Sequence, residues 1–226
     1  LAQLDAAHER FNAVYVTDNT AGAIIDTAVY NHNLFLSRAN SAGGALAVVH
    51  SNDPSTSIPN FHTNTTTTFL AAYLARVKNA NGQFALARSY INTNSSPVVA
   101  ITTDPTAATV VWGTDIDVGE SDYQFNGLHE HLDLIFPAKR DGVFKYERHV
   151  PGTAVPSNSF NPLVSEHLSP DKTNYNRSLS RGEWLWLKTR RSLIRVRSDG
   201  ARQDLTNLLQ VPGFSKLGLH VTTFAQ

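Results

Sequence analysis

Cysteine is absent from this 226-residue chain, and methionine with it. The lack of cysteine excludes disulfides, thiol nucleophiles and cysteine-ligated metal sites, and leaves the redox compartment open. No apolar run approaches the ~18–20 residues of a membrane-spanning helix, so no span is expected. The net charge is +0 at pH 7, which removes the whole-surface attraction to nucleic acid or anionic lipid that a strongly basic protein has. No glycine loop followed by Lys is present to cradle a phosphate, and no Gly-x-Ser-x-Gly elbow to present a nucleophilic serine. Initiator Met and a signal-peptide pattern are also missing, so the chain reads as a mature or processed product.

What is there suits a packed core. Hydrophobic residues make up 41% of the chain, with three Trp and eleven Phe, and a single β-rich domain over 1–226 is expected. Leu1, Leu4, His8 and Phe11 have helical spacing and predict a short N-terminal helix over 1–13. Beyond it most signals are β. Val14–Val16 and Ala45–Val49 read as strands, while Ala21–Arg38 suits either a helix turn or a strand. Phe69–Lys78 and Gln83–Ile91 flank Asn81-Gly82, a dipeptide that supplies positive φ to a hairpin turn, although a helix over Phe69–Val77 competes. Short β-branched runs follow at Pro97–Ile101 and Thr109–Trp112. Leu128–Phe136 and Val143–Val150 are expected to pair across Ala138–Gly142, and further strands fall at Trp184–Thr189, Leu193–Arg197 and Leu217–Phe224. Two long loops, at 51–68 and 151–182, carry most of the prolines. Roughly ten short strands with little helix predict an all-β sandwich or jelly roll.

Charge is unevenly laid out. Between Arg88 and Lys139 there is no Lys or Arg, seven acids fall from Asp104 to Asp133, and fourteen of the nineteen basic residues lie from Lys139 onward. Within the acidic stretch, Asp115, Asp117 and Glu120 form D-x-D-x-x-E. On a strand the first two share a face, and a bulge near Gly119 brings the third beside them. This strand resembles the E-x-D-x-x-E strand of laminarinase-type glycoside hydrolases, which implies carboxylate catalysis on a glycan. A retaining glycosidase needs two carboxyls ~5–5.5 Å apart. Asp115 stands where that family has its nucleophile and is one methylene shorter.

His129, His131 and Asp133 alternate along the next expected strand, and two imidazoles with a carboxylate on one face are a ligand set for a divalent metal. The His-x-His pair is similar to that of the cupins, without their glutamate and glycines at the family's spacing. The same alternation also describes a polar sheet face. No other cofactor is expected. Tyr30-Asn31-His32-Asn33-Leu34-Phe35 resembles the Asn-His-x-x-aromatic helix of iron/manganese superoxide dismutases, but their Trp-x-x-His motif is missing, which excludes that reading. Arg191, Arg195 and Arg197 share one strand face opposite Ile194 and Val196. This stripe offers contacts to phosphates, sugar carboxylates or a neighbouring subunit's acids, and nucleic acid would be met only there.

Two longer stretches carry resemblances. Gly142–Ser165, GVFKYERHVPGTAVPSNSFNPLVS, resembles the strand-then-Pro-Gly segment of picorna-like viral jelly-roll capsid proteins, which are also polyprotein products and often end in Gln. Gly182–Phe224, with GEWLWLK, IRVRSDG and LGLHVTTF, is similar in layout to laminin-G and concanavalin-like sandwiches, which include glycan-binding modules and polysaccharide lyases. The first resemblance implies a non-enzymatic assembly protein of virion or extracellular location, with cytoplasm left open, and copies of itself or capsid neighbours as partners. The second implies a glycan-active or glycan-binding sandwich. A metal-binding barrel using the 129/131/133 face is the third reading. The acidic 104–133 stretch and the basic 181–202 stretch are expected to meet, through arginine–carboxylate pairs, within the fold or between subunits.

Overall fold

A computed structural model describes residues 24–39, 46–51, 62–67, 73–79, 81–92, 94–107, 110–119, 123–147, 159–165, 171, 173–190 and 192–205. The expected helix over 1–13 and the strands at 14–16 and 217–224 lie outside them. Among the described residues all regular structure is strand, in four antiparallel four-stranded sheets. The first holds β1 (Ile24–Tyr30), β2 (Asn33–Ala39), β3 (Leu46–Ser51) and β4 (His62–Thr67). The second holds β5 (Tyr73–Lys78), β6 (Phe84–Ile91), β7 (Pro97–Thr102) and β8 (Ile116–Asp117). β9 (Phe125–His131), β10 (Leu134–Lys139), β11 (Gly142–Glu147) and β12 (Ser159–Ser165) form the third. The last comprises β13 (Ser178–Arg181), β14 (Trp184–Lys188), β15 (Leu193–Val196) and β16 (Arg202–Asp204).

Every sheet is a meander in which each strand pairs with the next along the chain. The connections are therefore hairpins, and several turn differently from the sequence expectation. Asn31-His32 and Leu132-Asp133 are two-residue turns with positive φ at both positions (46° and 60°, then 51° and 60°), the geometry that matches the twist of the flanking strands. Leucine disfavours that region. A tertiary contact holds the second turn in place: Lys78 donates from its backbone N–H to the Asp133 carbonyl at 2.9 Å and from Nζ to Asp133 Oδ2 at 3.0 Å. The expected single strand over Leu128–Phe136 is thus two strands. At Asn81-Gly82 the hairpin is present but wider than two residues. Asn79 and Gln83 close it through backbone N–H to carbonyl at 2.8 Å, and Asn79 Oδ1 accepts from the N–H groups of Asn81 and Gln83. Pro162 is tolerated in β12 because that strand pairs only with β11 and needs no second ladder.

Successive sheets pack face to face, as in a β-sandwich. Val77, Ala87 and Val99 of the second sheet meet Leu128, Ile135, Phe144 and Phe160 of the third in the largest core. Phe136, Val143 and Val164, on the other face of the third sheet, meet Leu185, Leu187 and Ile194 of the fourth. Phe35 of the first sheet packs on Leu74 and Leu86 of the second. In β10, Ile135 and Phe136 thus point to different cores, and both are fully buried. A strand covered on both faces needs no polar side, which removes the alternation that identifies a half-buried strand.

The first strands of the sheets lie side by side. Asp26 of β1 reaches Leu74 of β5, and Tyr30 at the end of β1 reaches Phe84, which pairs with Lys78 at the end of β5. Arg76 and Lys78 of β5 reach Glu130 and Asp133 on and just after β9, and His131 of β9 reaches Ser180 of β13. Residue numbers rise together in each pair, so β1, β5, β9 and β13 run in one direction. Four-stranded meanders stacked in chain order with their first strands adjacent have the blade order of a β-propeller. The starts of the four first strands consequently gather at one end.

Candidate functional site

That gathering sets the chemistry. Asp26 lies in the otherwise apolar-to-neutral run Ile24-Ile25-Asp26-Thr27-Ala28-Val29. One of its carboxylate oxygens accepts the Thr27 N–H and the other the Leu74 N–H, each at 2.9 Å. These bonds and the positive charge of Arg177 favour the ionised form, yet burial outweighs them and pushes the carboxyl from 3.8 up to about 6. Tyr73, the first residue of β5, feels both Asp26 and Arg177, and burial followed by the Asp26 charge raises its hydroxyl. Arg177 immediately precedes β13, is exposed, and accepts the Lys188 N–H at its carbonyl at 3.4 Å. Its charge reaches Asp26, Tyr73 and His129 alike, residues of the first, second and third sheets.

His129 has a supporting part there. Buried, with Nε2–H donating to the Tyr175 carbonyl at 2.7 Å, it ties β9 to the segment two residues before Arg177. Desolvation, helped by the Arg177 charge and opposed by that hydrogen bond, pushes it from 6.5 down to about 4, so it is neutral at pH 7. Its ring also lies over Gly127, where a Cβ would come within 2.7 Å of it.

The expected metal set is dispersed. His131 ends β9, with Nδ1 2.7 Å from Ser180 Oγ, while Asp133 lies beyond in the turn and pairs with Lys78. His129 is engaged with Tyr175. The two-residue turn breaks the alternation that would have put all three on one face, and no cluster of three His, Asp or Glu able to hold a metal occurs among the described residues.

Asp115 and Asp117 do come together, along a groove of about 640 Å³ also lined by Asn79, Asn81, Thr103 and Tyr146. Glu120 lies outside the described residues. Asp115 accepts a short hydrogen bond from the Tyr90 hydroxyl, and burial followed by that bond pushes Tyr90 up to about 12. Arg88 stacks between the Tyr90 and Trp112 rings, 4.6 and 4.2 Å from their centres. Asp117 is exposed. β8 ends at Asp117, before Gly119, whose φ is 66° and where a Cβ would meet the Phe144 ring at 2.6 Å.

Arg190, Arg195 and Arg197, in and beside the fourth sheet, find local partners rather than the acids of 104–133. Arg197 pairs with Asp199 and Glu183, Arg190 with Asp171, and Arg195 donates to Gln203 and stacks on Trp184 at 4.4 Å. Arg191 lies outside the described residues. No described helix is long and apolar enough to cross a membrane.

Asp26, Tyr73 and Arg177 were not singled out from the sequence. The lone carboxylate in an apolar run was the one signal available for Asp26. Tyr73 and Arg177 lie 104 positions apart, and nothing local marks either.

No family model matches the chain, and no curated protein does. Among solved structures it is similar to an α-L-arabinofuranosidase from Podospora anserina, solved in complex with cellotriose, at 14% identity and a TM-score of 0.45. The likeness covers 83% of this chain and 64% of that one, so the chain spans under two thirds of that protein.

Proposed function

We propose that this chain binds a glycan at the mouth formed by the starts of its first strands. The observation that carries the reading is the convergence there of Asp26, with its carboxyl at about 6, Tyr73 and the exposed Arg177. A carboxyl that can be proton donor or acceptor, a phenol and a free guanidinium are complementary to hydroxyl-rich ligands. Burial that disfavours the charged carboxyl costs stability, and perturbed titratable groups cluster at functional sites. Isothermal titration or NMR titration against a panel of neutral and acidic oligosaccharides tests it. Binding is expected that is lost on Asp26→Ala or Arg177→Ala and retained on Asp115→Asn. A folded protein that binds none of the panel, or binds regardless of these changes, overturns the reading.

A further inference from the structure

We propose that the chain associates head to tail, the tryptophan–arginine face of its fourth sheet docking a second copy of this chain at the groove that carries Asp115 and Asp117. Neither surface uses Asp26, Tyr73 or Arg177, so the proposal stands apart from the glycan reading.

Strand register builds the face. Leu185, Leu187, Ile194 and Val196 pack on the third sheet, and Ser180 reaches His131 of that sheet. Residues that alternate with them point the other way, and cross-strand partners share a side. Arg181 pairs with Trp184 and Arg195 with Trp186, while Lys188 and Arg197 continue their two lines. The Arg195 guanidinium lies 4.4 Å from the Trp184 ring centre and 5.3 Å from that of Trp186, and Arg197 lies 5.6 Å from Trp184. Gln203 Oε1 accepts from Arg195 Nε at 2.8 Å. Stacking and that bond fix the guanidinium plane, and among the described residues neither terminal nitrogen of Arg195 has a partner. A fork held flat with its outer edge open is preorganised for a carboxylate and loses little freedom on binding one. Arg181, Lys188, Arg195 and Arg197 thus share one side, with Glu183 and Asp199 confined to the turns at its edge.

The groove supplies the complement. Asp115 and Asp117 are both exposed along its 640 Å³, and no Lys, Arg or His lines it. Arg88 is buried against the Tyr90 ring and lies outside the lining. Tyr90 occupies one oxygen of Asp115; among the described residues the other, and both of Asp117, take no hydrogen bond. Val111, 76% exposed, adds an apolar wall against which indole edges can be covered. Asp115 and Asp117 are two positions apart, as are Arg195 and Arg197. Extended backbone spaces each pair by ~6.4–6.8 Å, so two arginine–carboxylate contacts form in step. One copy cannot satisfy itself: the groove belongs to the second sheet, the face is the far side of the fourth, and two cores separate them. Net charge of +0 leaves no overall repulsion between copies. Contact between unlike surfaces leaves one of each open at the ends, so copies add in a row or close a ring.

The test takes the whole chain through a concentration series in sedimentation velocity and light scattering at ~0.1 and ~1 M salt, between which the screening length falls from ~10 to ~3 Å. Mass is expected to rise with concentration at the lower salt, and the association constant to fall at least about tenfold at the higher. Arg195→Glu with Arg197→Glu is expected to leave a monomer, and so is Asp115→Lys with Asp117→Lys. Mixing these two variants in equal amounts should restore association, because the unchanged groove of the first meets the unchanged face of the second. Asp117→Lys alone, at an exposed residue, serves where loss of the Tyr90 bond unfolds the double variant, and should weaken association at least about tenfold. Circular dichroism and thermal melts of each variant establish that the fold persists. A wild-type chain that stays monomeric across the series at both salts overturns the proposal. Groove variants that associate as wild type does show the face meeting something else, such as its own copy, and overturn it too. A mixture as monomeric as its two components overturns the pairing of face with groove.

Discussion

Two places in this molecule hold carboxylates on a concave surface, and they are built in opposite ways. The groove with Asp115 and Asp117 comes largely from neighbouring sequence: both acids lie within three positions, and Asp115 takes its hydrogen bond from Tyr90 of the same sheet. Asp26 shares its mouth with Tyr73, His129 and Arg177, contributed by three other sheets. The difference in surroundings is chemical as well. Asp117 is exposed and solvated, whereas Asp26 is pressed against β5, where burial outweighs two hydrogen bonds and a cation. A motif close in sequence can be solvated polar surface, while a carboxyl's proton affinity is raised where distant strands exclude water around it.

The strongest test of that contrast exchanges one atom at each place. Asp26→Asn is expected to weaken oligosaccharide binding at least about tenfold, and Asp115→Asn to change it by less than about twofold, with titration calorimetry as the measure. Equal losses at both places would unite them in one site. On the stability side, Gly119→Ala strikes the groove's support. Its left-handed φ and the Phe144 ring predict a loss of ~2–4 kcal/mol in urea unfolding, from backbone strain and overpacking, with oligosaccharide affinity unchanged.

The pH dependence separates the two sets of groups further. Asp26 has its folded value raised from 3.8 to about 6, so the folded state binds its proton more tightly than the unfolded. Its contribution is fully present below 3.8 and is lost as pH rises through about 6. His129 is lowered from 6.5 to about 4, so the unfolded state binds that proton more tightly. Its contribution is fully present above 6.5 and is lost as pH falls toward 4. Between about 4 and 6 the two slopes oppose, and each proton contributes up to ~1.4 kcal/mol per pH unit. Wild-type stability is expected to be nearly flat over this window in denaturant titrations. Asp26→Asn should expose the His129 slope, with stability falling as the solution is acidified.

Smaller effects belong to single contacts. Tyr90→Phe frees Asp115 and is expected to cost ~1 kcal/mol in unfolding, the usual value of one hydrogen bond. Reversing Arg195 and Arg197 to Glu breaks exposed local contacts and should shift stability by no more than ~1 kcal/mol. Glycan affinity should not move. Light scattering of the same variant across salt concentrations reads the separate proposal that the chain self-assembles through this face.

The β-rich character was legible because β-branched runs, turn residues and short spacings recur along the chain; the strands near 73–78, 84–91, 184–188 and 193–196 follow those signals closely. The split at Leu132-Asp133 was not, because leucine at φ 51° has no local cause and is held by Lys78, more than fifty residues earlier. That one turn undid the His129/His131/Asp133 face. The mouth was likewise invisible, since a carboxyl's affinity for its proton depends on what excludes water from it. The sequence by itself determined that the chain makes strands, where most of them bend, and which residues are apolar enough to be covered. Tertiary structure decided that first strands lie side by side in one direction. Only that stacking brings Asp26, Tyr73, His129 and Arg177 within reach of one another's fields, because chain distance sets neither burial nor charge separation.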